Sequence, residues 1–427
     1  MAGPITYIVI GAGSRGTIYA SYALAHREDA KVVGVAEPRE EARNRLVKEH
    51  GITPENTFND WRDVASVPRM ADAAVIATQD GMHTDPVVAL AEKGYHLLLE
   101  KPMAPTAAEC QRIVDSVKSS GVMLAIAHVL LYTRYTQTIK QILDSGRIGD
   151  VVSIQRLEPV GYWHQAHSFV RGNWRKESEA TFMLMAKCCH DIDWIRYIMG
   201  QKCERVSSFG GLKHFRKAEK PAKAGDAMRC TDCAYESECP YSAKKQYINA
   251  IKQGYTGWPV DVITFNTTEE GVMEALSTGP YGRCVFECDN DVVDNQVVSM
   301  AFAGGRTASL TMTAFTEGGS SGHRRTSIFG TRGELRGDGC KLWVTDFLTD
   351  KTEVIDTESS AGSILGGHGG GDDALMYSFV KAIASNDRSV LLSGPDETLE
   401  SHLMVFAAEQ ARLANQVVNL RDARLDW

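Results

Sequence analysis

No apolar run in the 427 residues is long enough to cross a bilayer. The best stretch, Val122 to Tyr132, is short and broken by His128. The first residues show no charged leader and no cleavage pattern, and a strand-like run starts almost at once. A basic excess is also missing: 46 Lys and Arg stand against 54 Asp and Glu, a net charge of −8. General nucleic-acid binding needs a positive field that this chain lacks. Ten cysteines are too few for a disulfide scaffold of this size, which leaves reduced thiols or a metal site. Repeats and low-complexity tracts are absent. A cytoplasmic protein is expected, with neither membrane nor nucleic acid as partner.

What is present is ordinary globular composition, 43% apolar and 23% charged. The length suits two or three domains. Short apolar runs at Ile5–Ile10, Lys31–Ala36, Ala73–Thr78, Tyr95–Leu99 and Val122–Ala127 alternate with helical patterns. That pattern predicts an α/β, doubly wound parallel sheet covered on both faces, closing near residue 128. From residue 129 to 427 the runs lengthen and alternate: Val151–Leu157, Arg283–Cys288, Gln296–Phe302, Thr307–Phe315, Arg325–Gly330 and Lys341–Thr345. A second α/β domain with a large, open, mostly antiparallel sheet is expected, ending in a helix from about Asp396 to Asn415. A cysteine-containing insertion spans about 212–262. Its stretch Lys213–Gln253 holds nine Lys and Arg against five Asp and Glu.

The first run ends in Gly11-Ala12-Gly13-Ser14-Arg15-Gly16 and opens a helix. In this G-x-G-x-x-G pattern the first glycine allows the tight turn. The second admits a pyrophosphate to the backbone, and the third permits close helix–strand packing. The helix N-terminus offers free N–H groups to phosphate. Glu37 ends the second run, 26 residues after Gly11. A carboxylate there holds ribose hydroxyls and repels a 2′-phosphate, so NAD is expected over NADP. Arg39 and Arg43 lie just beyond and keep NADP open.

Together with Ala77-Thr78-Gln79-Asp80-Gly81-Met82-His83 and Glu100-Lys101-Pro102, this start resembles the glucose–fructose oxidoreductase, inositol dehydrogenase and rhizopine-catabolism (Gfo/Idh/MocA) family. The resemblance implies a Rossmann domain binding NAD(P), a C-terminal domain that often builds homo-oligomers (dimer or tetramer), and a sugar, sugar acid or cyclitol between them. It places Thr78, Asp80, His83, Glu100 and Lys101 at the cofactor, and makes Lys101 catalytic. The family usually has Thr-Pro-Asn where this chain has Thr78-Gln79-Asp80.

The family's Asp-x-Gly-x-His-x-x-Asp helix matches Ala186 to Asp193, keeping His190 and Asp193 but replacing the first Asp by Ala186 and the Gly by Cys188. His190 is therefore the second catalytic candidate, as general acid/base. Asp193, one turn on, is expected to orient it or contact substrate, and Lys187 to replace the lost acid in part. The resemblance implies hydride transfer at a secondary hydroxyl. Two alternatives stand beside it: an NAD-dependent glycosidase using transient oxidation and elimination without net redox, and a non-catalytic dinucleotide-binding regulator.

Two further stretches stand out. Glu158 to Arg175 mixes flat aromatics with many donors, as a polyhydroxylated ligand requires. Glu158, Trp163, His164, His167, Arg171 and Trp174 are the substrate candidates, with His368 in the glycine-rich run before a late helix. His164 and His167 could alternatively bind a metal, or the stretch could form an interface. Cys230-x-x-Cys233 with Cys239 suits a structural zinc. His214 is the expected fourth ligand and Cys203 the next, while Cys284 and Cys288 read as core.

Overall fold

The computed structural model describes residues 3–318, 324–358 and 369–421. The first six strands are β1 (Ile5–Ile10), β2 (Ala30–Ala36), β3 (Thr57–Phe58), β4 (Ala73–Ile76), β5 (His96–Leu99) and β6 (Leu124–Ile126). They form one all-parallel sheet in the order β3-β2-β1-β4-β5-β6. Every residue of β4 and β6 is buried, as expected of strands covered on both faces. Strand order reverses between β1 and β4, so loops leaving their C-terminal ends open a crevice there.

The second sheet has nine strands: β7 (Val151–Gly161), β8 (Cys203–Gly211), β9 (Asn295–Phe302), β10 (Arg306–Thr316), β11 (Arg325–Gly330), β12 (Gly333–Gly337), β13 (Lys341–Asp346), β14 (Lys351–Asp356) and β15 (Val418–Asn419). Their order is β14-β13-β12-β11-β7-β10-β9-β8-β15. Only the β7–β10 pair is parallel. Along β9 and β10 buried residues alternate with more exposed ones, because helices cover one face.

Four helices matter to the site: α1 (Ser14–Ala25), α2 (Met183–Met199), α3 (Gly371–Ser385) and α4 (Pro395–Ala414). α4 packs on α2 and on the 107–120 helix beside the first sheet, and α3 packs on α1. The end of the chain thus returns to its beginning. Ser393 O accepts the Ile126 N–H at 2.9 Å, one bond of that seam.

Residues 283–288 do not form the expected strand. They make a turn-rich segment with a single bridge, Arg229 to Arg283. Cys284, Val285 and Phe286 pack instead with Ala166, Val170, Phe215 and Ala314 in a small core. A second small core holds Cys230, Ala243, Tyr247, Ile248, Val260, Val272 and Leu276. The polar composition of the insertion conceals both. Strands β8, β12 and β14 were not legible, since short, half-exposed stretches carry little apolar signal.

Candidate active site

The glycine turn is built as its spacing requires. Gly11 has φ +90°, and a Cβ there would lie 2.6 Å from Ala77 O. A Cβ on Gly16 would lie 1.9 Å from Gly11 O, so only glycine lets α1 approach β1 this closely. Gly13 caps α1 without a side-chain hydrogen bond, and no acid occupies the first helical turn. The helix N-terminus therefore keeps N–H groups and a positive dipole end for an anion. This cradle fits a dinucleotide pyrophosphate.

Glu37 is buried beside the turn. Its Oε2 accepts the Ala12 N–H at 2.8 Å and Arg39 Nη2 at 3.0 Å. Its Oε1 accepts Arg39 N at 2.9 Å and Nε at 2.8 Å. Burial would raise this carboxyl, but the Arg39 and Ala12 bonds outweigh it and hold it below the usual range. Glu37 is thus a brace for the glycine turn as well as a ribose candidate. The Arg15 side chain does not reach out for phosphate. It pairs with Glu100 and with Asp372 of α3, and Tyr19 OH donates to Glu100 at 2.6 Å. Ser14, the first residue of α1, presents its backbone at the helix mouth.

After β4, Thr78 Oγ1 donates to Met82 O at 3.2 Å. His83 is fully buried, with Nδ1 2.8 Å from Pro102 O and Nε2 3.2 Å from Thr78 O. It pins the 78–83 loop to the turn after β5 and has no ring nitrogen left for a cofactor. In that turn Glu100 Oε2 accepts the Lys101 N–H at 2.7 Å. Burial favours the neutral acid, yet Arg15 and Lys101 prevail and keep Glu100 ionised. Lys101 Nζ then donates to Ala186 O on α2 at 2.7 Å. Asp80 accepts Trp174 Nε1 at 3.0 Å, and burial raises its carboxyl despite His83 and Lys101.

On α2, His190 lies one turn beyond Ala186 on the same face and is buried, edge-on to His128 at 5.5 Å. Asp193 turns elsewhere, toward Arg196, Ser401 and His402, and burial raises it. Lys187 Nζ lies 3.3 Å from Glu158 on β7. Glu158 also pairs with Arg324, which reaches Asp191, itself paired with Arg156.

The 162–175 segment divides in two. His164 stacks on Trp163 and meets Trp258 edge-on at 5.1 Å. Burial, then Lys187, His167, Lys101 and Arg324, keep its imidazole neutral. Trp174 stands on the crevice side, since its Nε1 reaches Asp80, while Trp163 stacks on His164 and donates to Glu317 O. His167 and Arg171 turn the other way. His167 bonds Tyr247 OH at 2.7 Å and stacks on Tyr281 at 4.8 Å. Arg171 donates to Arg283 O and Tyr241 O, both at 2.7 Å. Both residues brace the insertion, and this departs from their expected substrate role. Trp258, absent from the sequence-based set, walls His164. Its signal was an isolated tryptophan in a polar insertion. His368 lies outside the described residues.

The zinc expectation is not met. Among the described residues no three His, Cys, Asp or Glu side chains are set to hold a metal ion, at the cysteines or at His164 and His167. The His214 ring packs among Phe215, Tyr241, Phe286 and Phe315, away from the thiols. Its backbone N–H, not its ring, is anchored, at 2.7 Å from Asp294.

Residues 5–128 match the family model described as oxidoreductase family, NAD-binding Rossmann fold. Residues 140–420 match that family's C-terminal α/β domain. The chain belongs to the Gfo/Idh/MocA oxidoreductase family. The myo-inositol 2-dehydrogenase of Thermotoga maritima is 27% identical over 51% of this chain and 61% of its own length. The 2,7-anhydro-N-acetylneuraminate hydratase of Escherichia coli is 24% identical over 48% and 53%. The chain thus spans little more than half of these curated relatives. A levoglucosan dehydrogenase structure, in complex with NADH and levoglucosan, shares the fold with a TM-score of 0.70. It is 19% identical and covers 98% of this chain and 99% of its own. Among the described residues no helix is long and apolar enough to cross a membrane.

Proposed function

We propose that this Gfo/Idh/MocA protein is an NAD-dependent dehydrogenase of a sugar, sugar acid or cyclitol, acting in the cytoplasm. Its division is taken as a Rossmann domain to about residue 128 followed by the substrate domain. The observation that carries the reading is the Lys101 Nζ bond to Ala186 O, one helical turn from His190. It brings the strand-end lysine of the dinucleotide domain onto the histidine face of the second domain. The Gly11–Gly16 turn would hold the pyrophosphate, Glu37 the adenosine ribose, and the Thr78–Asp80 loop the nicotinamide ribose. Bound NAD would supply the hydride acceptor. Lys101, with N–H groups to spare beyond Ala186 O, would hold the substrate hydroxyl. His190 would take its proton as the carbon–hydrogen bond breaks. Trp163, His164 and Trp174 would wall the sugar. The open face of the nine-stranded sheet, with Phe209 paired to Val297, would join a second copy.

A second reading keeps the cofactor and changes the outcome: transient oxidation, elimination and re-reduction. Ala186 in place of the usual acid and the neutral His164 near Lys101 favour it. Release and mass spectrometry of bound small molecules, followed by turnover with polyols and sugar acids, separates the two. Exchangeable NAD with NADH accumulating is expected. Bound NAD that never exchanges, with glycoside cleavage and no net NADH, would transfer the assignment to the second reading.

A further inference from the structure

A line of charged side chains runs from β7 to α2, and its signs do not cancel. Arg156 on β7 and Asp191 on α2 seal the inner end, with side chains 2% and 0% exposed. Arg156 Nε donates to Asp191 Oδ1 at 2.6 Å and its Nη1 to Thr326 Oγ1 at 3.0 Å, and its guanidinium lies 3.9 Å from the Trp194 ring centre. Arg324, just before β11, comes next. Its Nε donates to Asp191 Oδ1 at 2.6 Å and its Nη2 to Oδ2 at 3.3 Å, while the same Nε lies 2.8 Å from Glu158 Oε2. Lys187 Nζ closes the line, 3.3 Å from Glu158 Oε1. Three cations thus share two carboxylates, Glu158 and Asp191.

The surplus positive charge lies at the outer end. The Lys187 and Arg324 side chains are 20% and 15% exposed, against 4% for Glu158 between them. Among the described residues nothing accepts a hydrogen bond from Arg324 Nη1, and Glu158 is the one ion-pair partner of Lys187. Cations this far from bulk water are ordinarily matched, so the spare donors call for an anion. The same end adjoins the reacting groups. Lys187 directly follows Ala186, whose carbonyl accepts Lys101 Nζ at 2.7 Å. Glu158 lies three residues before the end of β7 at Gly161, where the chain runs on into Trp163 and His164, and Arg325 pairs with its neighbour Leu157. Burial, then Lys187, keep His164 neutral, and Lys101 and Arg324 act in the same sense, so cations from three elements converge on one ring.

We propose that Lys187 and Arg324 form a carboxylate subsite at the crevice wall, so that the substrate is a sugar acid rather than a neutral sugar or cyclitol. The proposal rests on the reading of this crevice as the sugar site and narrows it. Arg324 Nη1 and Lys187 Nζ would each donate a charge-assisted bond to the substrate carboxylate. Glu158 holds the two cations side by side when no substrate is bound, and Asp191 fixes the plane of the Arg324 guanidinium through two N–H groups. A neutral sugar would leave the surplus charge unmatched. Lys187 and Arg324 thus set specificity and take no part in hydride or proton transfer.

The full-length chain loaded with NADH is titrated with matched pairs: gluconate and glucitol, galactonate and galactitol, glucuronate and glucose, galacturonate and galactose. In at least one pair the acid should bind about tenfold or more tightly than its neutral partner, the scale of a hydrogen bond between charged groups. Lys187→Met should remove most of that advantage and leave the neutral partner's affinity unchanged, and Lys187→Arg should restore it. Glu158→Gln, which takes away a competing carboxylate, should tighten acid binding. Unchanged NADH affinity shows that each variant is folded. No preference for the acid in any pair, or equal losses for acid and neutral partner in Lys187→Met, would overturn the subsite. NAD reduction by the neutral members alone would overturn it too and leave the dehydrogenase reading standing. Acid binding that depends on Lys187, without NAD reduction by any member, would keep the subsite and overturn that reading.

Discussion

The edge of the parallel sheet and the insertion behind the crevice handle polar groups in opposite ways. At the sheet edge, backbone geometry does most of the work. Gly11 and Gly16 shape a turn, and His83, Glu100 and Arg15 lock the strand-end loops to one another. In the insertion, side chains do it: Arg171, His167 and Tyr247 knit helical turns around two small cores. Backbone devices demand particular residues at short spacing. Side-chain devices draw partners from anywhere in the chain.

The largest test of this contrast strikes where the two regions meet. Lys101→Ala removes a side chain that joins the strand end to α2 at the histidine face. Turnover should fall by about two to four orders of magnitude, the scale of a lost acid/base group. NADH affinity should hold, because the glycine turn does not use Lys101. Turnover within threefold or so of wild type would place the chemistry elsewhere.

The next largest effect is on stability in acid. His128, His402 and His167 are buried, and burial lowers each to about 3. In the unfolded chain each titrates near 6.5. Between those values the unfolded state binds protons that the folded state refuses, so stability is lost as pH falls below about 6.5. Three such groups give a slope of about 4 kcal/mol per pH unit. His128 and His402 stand near the seam of the two sheets and His167 in the insertion, so acid attacks both regions. Urea midpoints at descending pH measure the slope. His128→Phe, which removes a ring with no hydrogen-bond partner, should lower it by about 1.4 kcal/mol per pH unit.

The same contrast explains what could be read in advance. Both sheets were legible, because buried parallel strands and alternating antiparallel ones leave different apolar periods. Gly11 and Gly16 were legible because the strand-to-helix turn fixes their spacing, whereas Lys101 came from the family resemblance of Glu100-Lys101-Pro102. Arg15 and His83 were found as positions, but their side chains serve as struts. No local pattern announces that Arg15 meets Asp372, far along the chain. His214 was misplaced for a similar reason: a histidine near a cysteine pair looks like a ligand, yet only the fold shows its ring among Phe215, Tyr241, Phe286 and Phe315. Cys284, in a Cys-Val-Phe run, does pack in a small core, though in a turn rather than a strand.

A smaller effect is expected at Trp174, whose Nε1 bond to Asp80 crosses from the segment after β7 to the loop after β4. Trp174→Phe keeps the flat ring and deletes the donor. A hydrogen bond to a charged group contributes about 1.5–3 kcal/mol, so KM for the sugar should rise roughly tenfold or more. NADH affinity should move little. Equal losses in both would mean that the bond holds the cofactor loop rather than the substrate wall.

The smallest expected effect concerns the choice between NAD and NADP, where backbone and side-chain devices overlap. A carboxylate offers about four lone-pair sites. Glu37 already fills four, with Ala12 N and three Arg39 nitrogens. Ribose hydroxyls must therefore share acceptors that brace the turn, and that sharing weakens the gain from NAD. Arg39 stands over the same spot and would attract a 2′-phosphate, offsetting part of the repulsion from Glu37. NADH should still bind more tightly than NADPH, but by no more than about tenfold, or about 1.4 kcal/mol. Glu37→Gln keeps an acceptor for Ala12 and removes the charge, so it should bring the two dissociation constants together. A preference above a hundredfold or so in the wild-type protein would require Arg39 to leave Glu37 when the cofactor arrives. An Arg39→Ala variant distinguishes the cases: a swinging Arg39 predicts tighter NADH binding on its removal, whereas a fixed brace predicts weaker binding of both nucleotides as the glycine turn loosens.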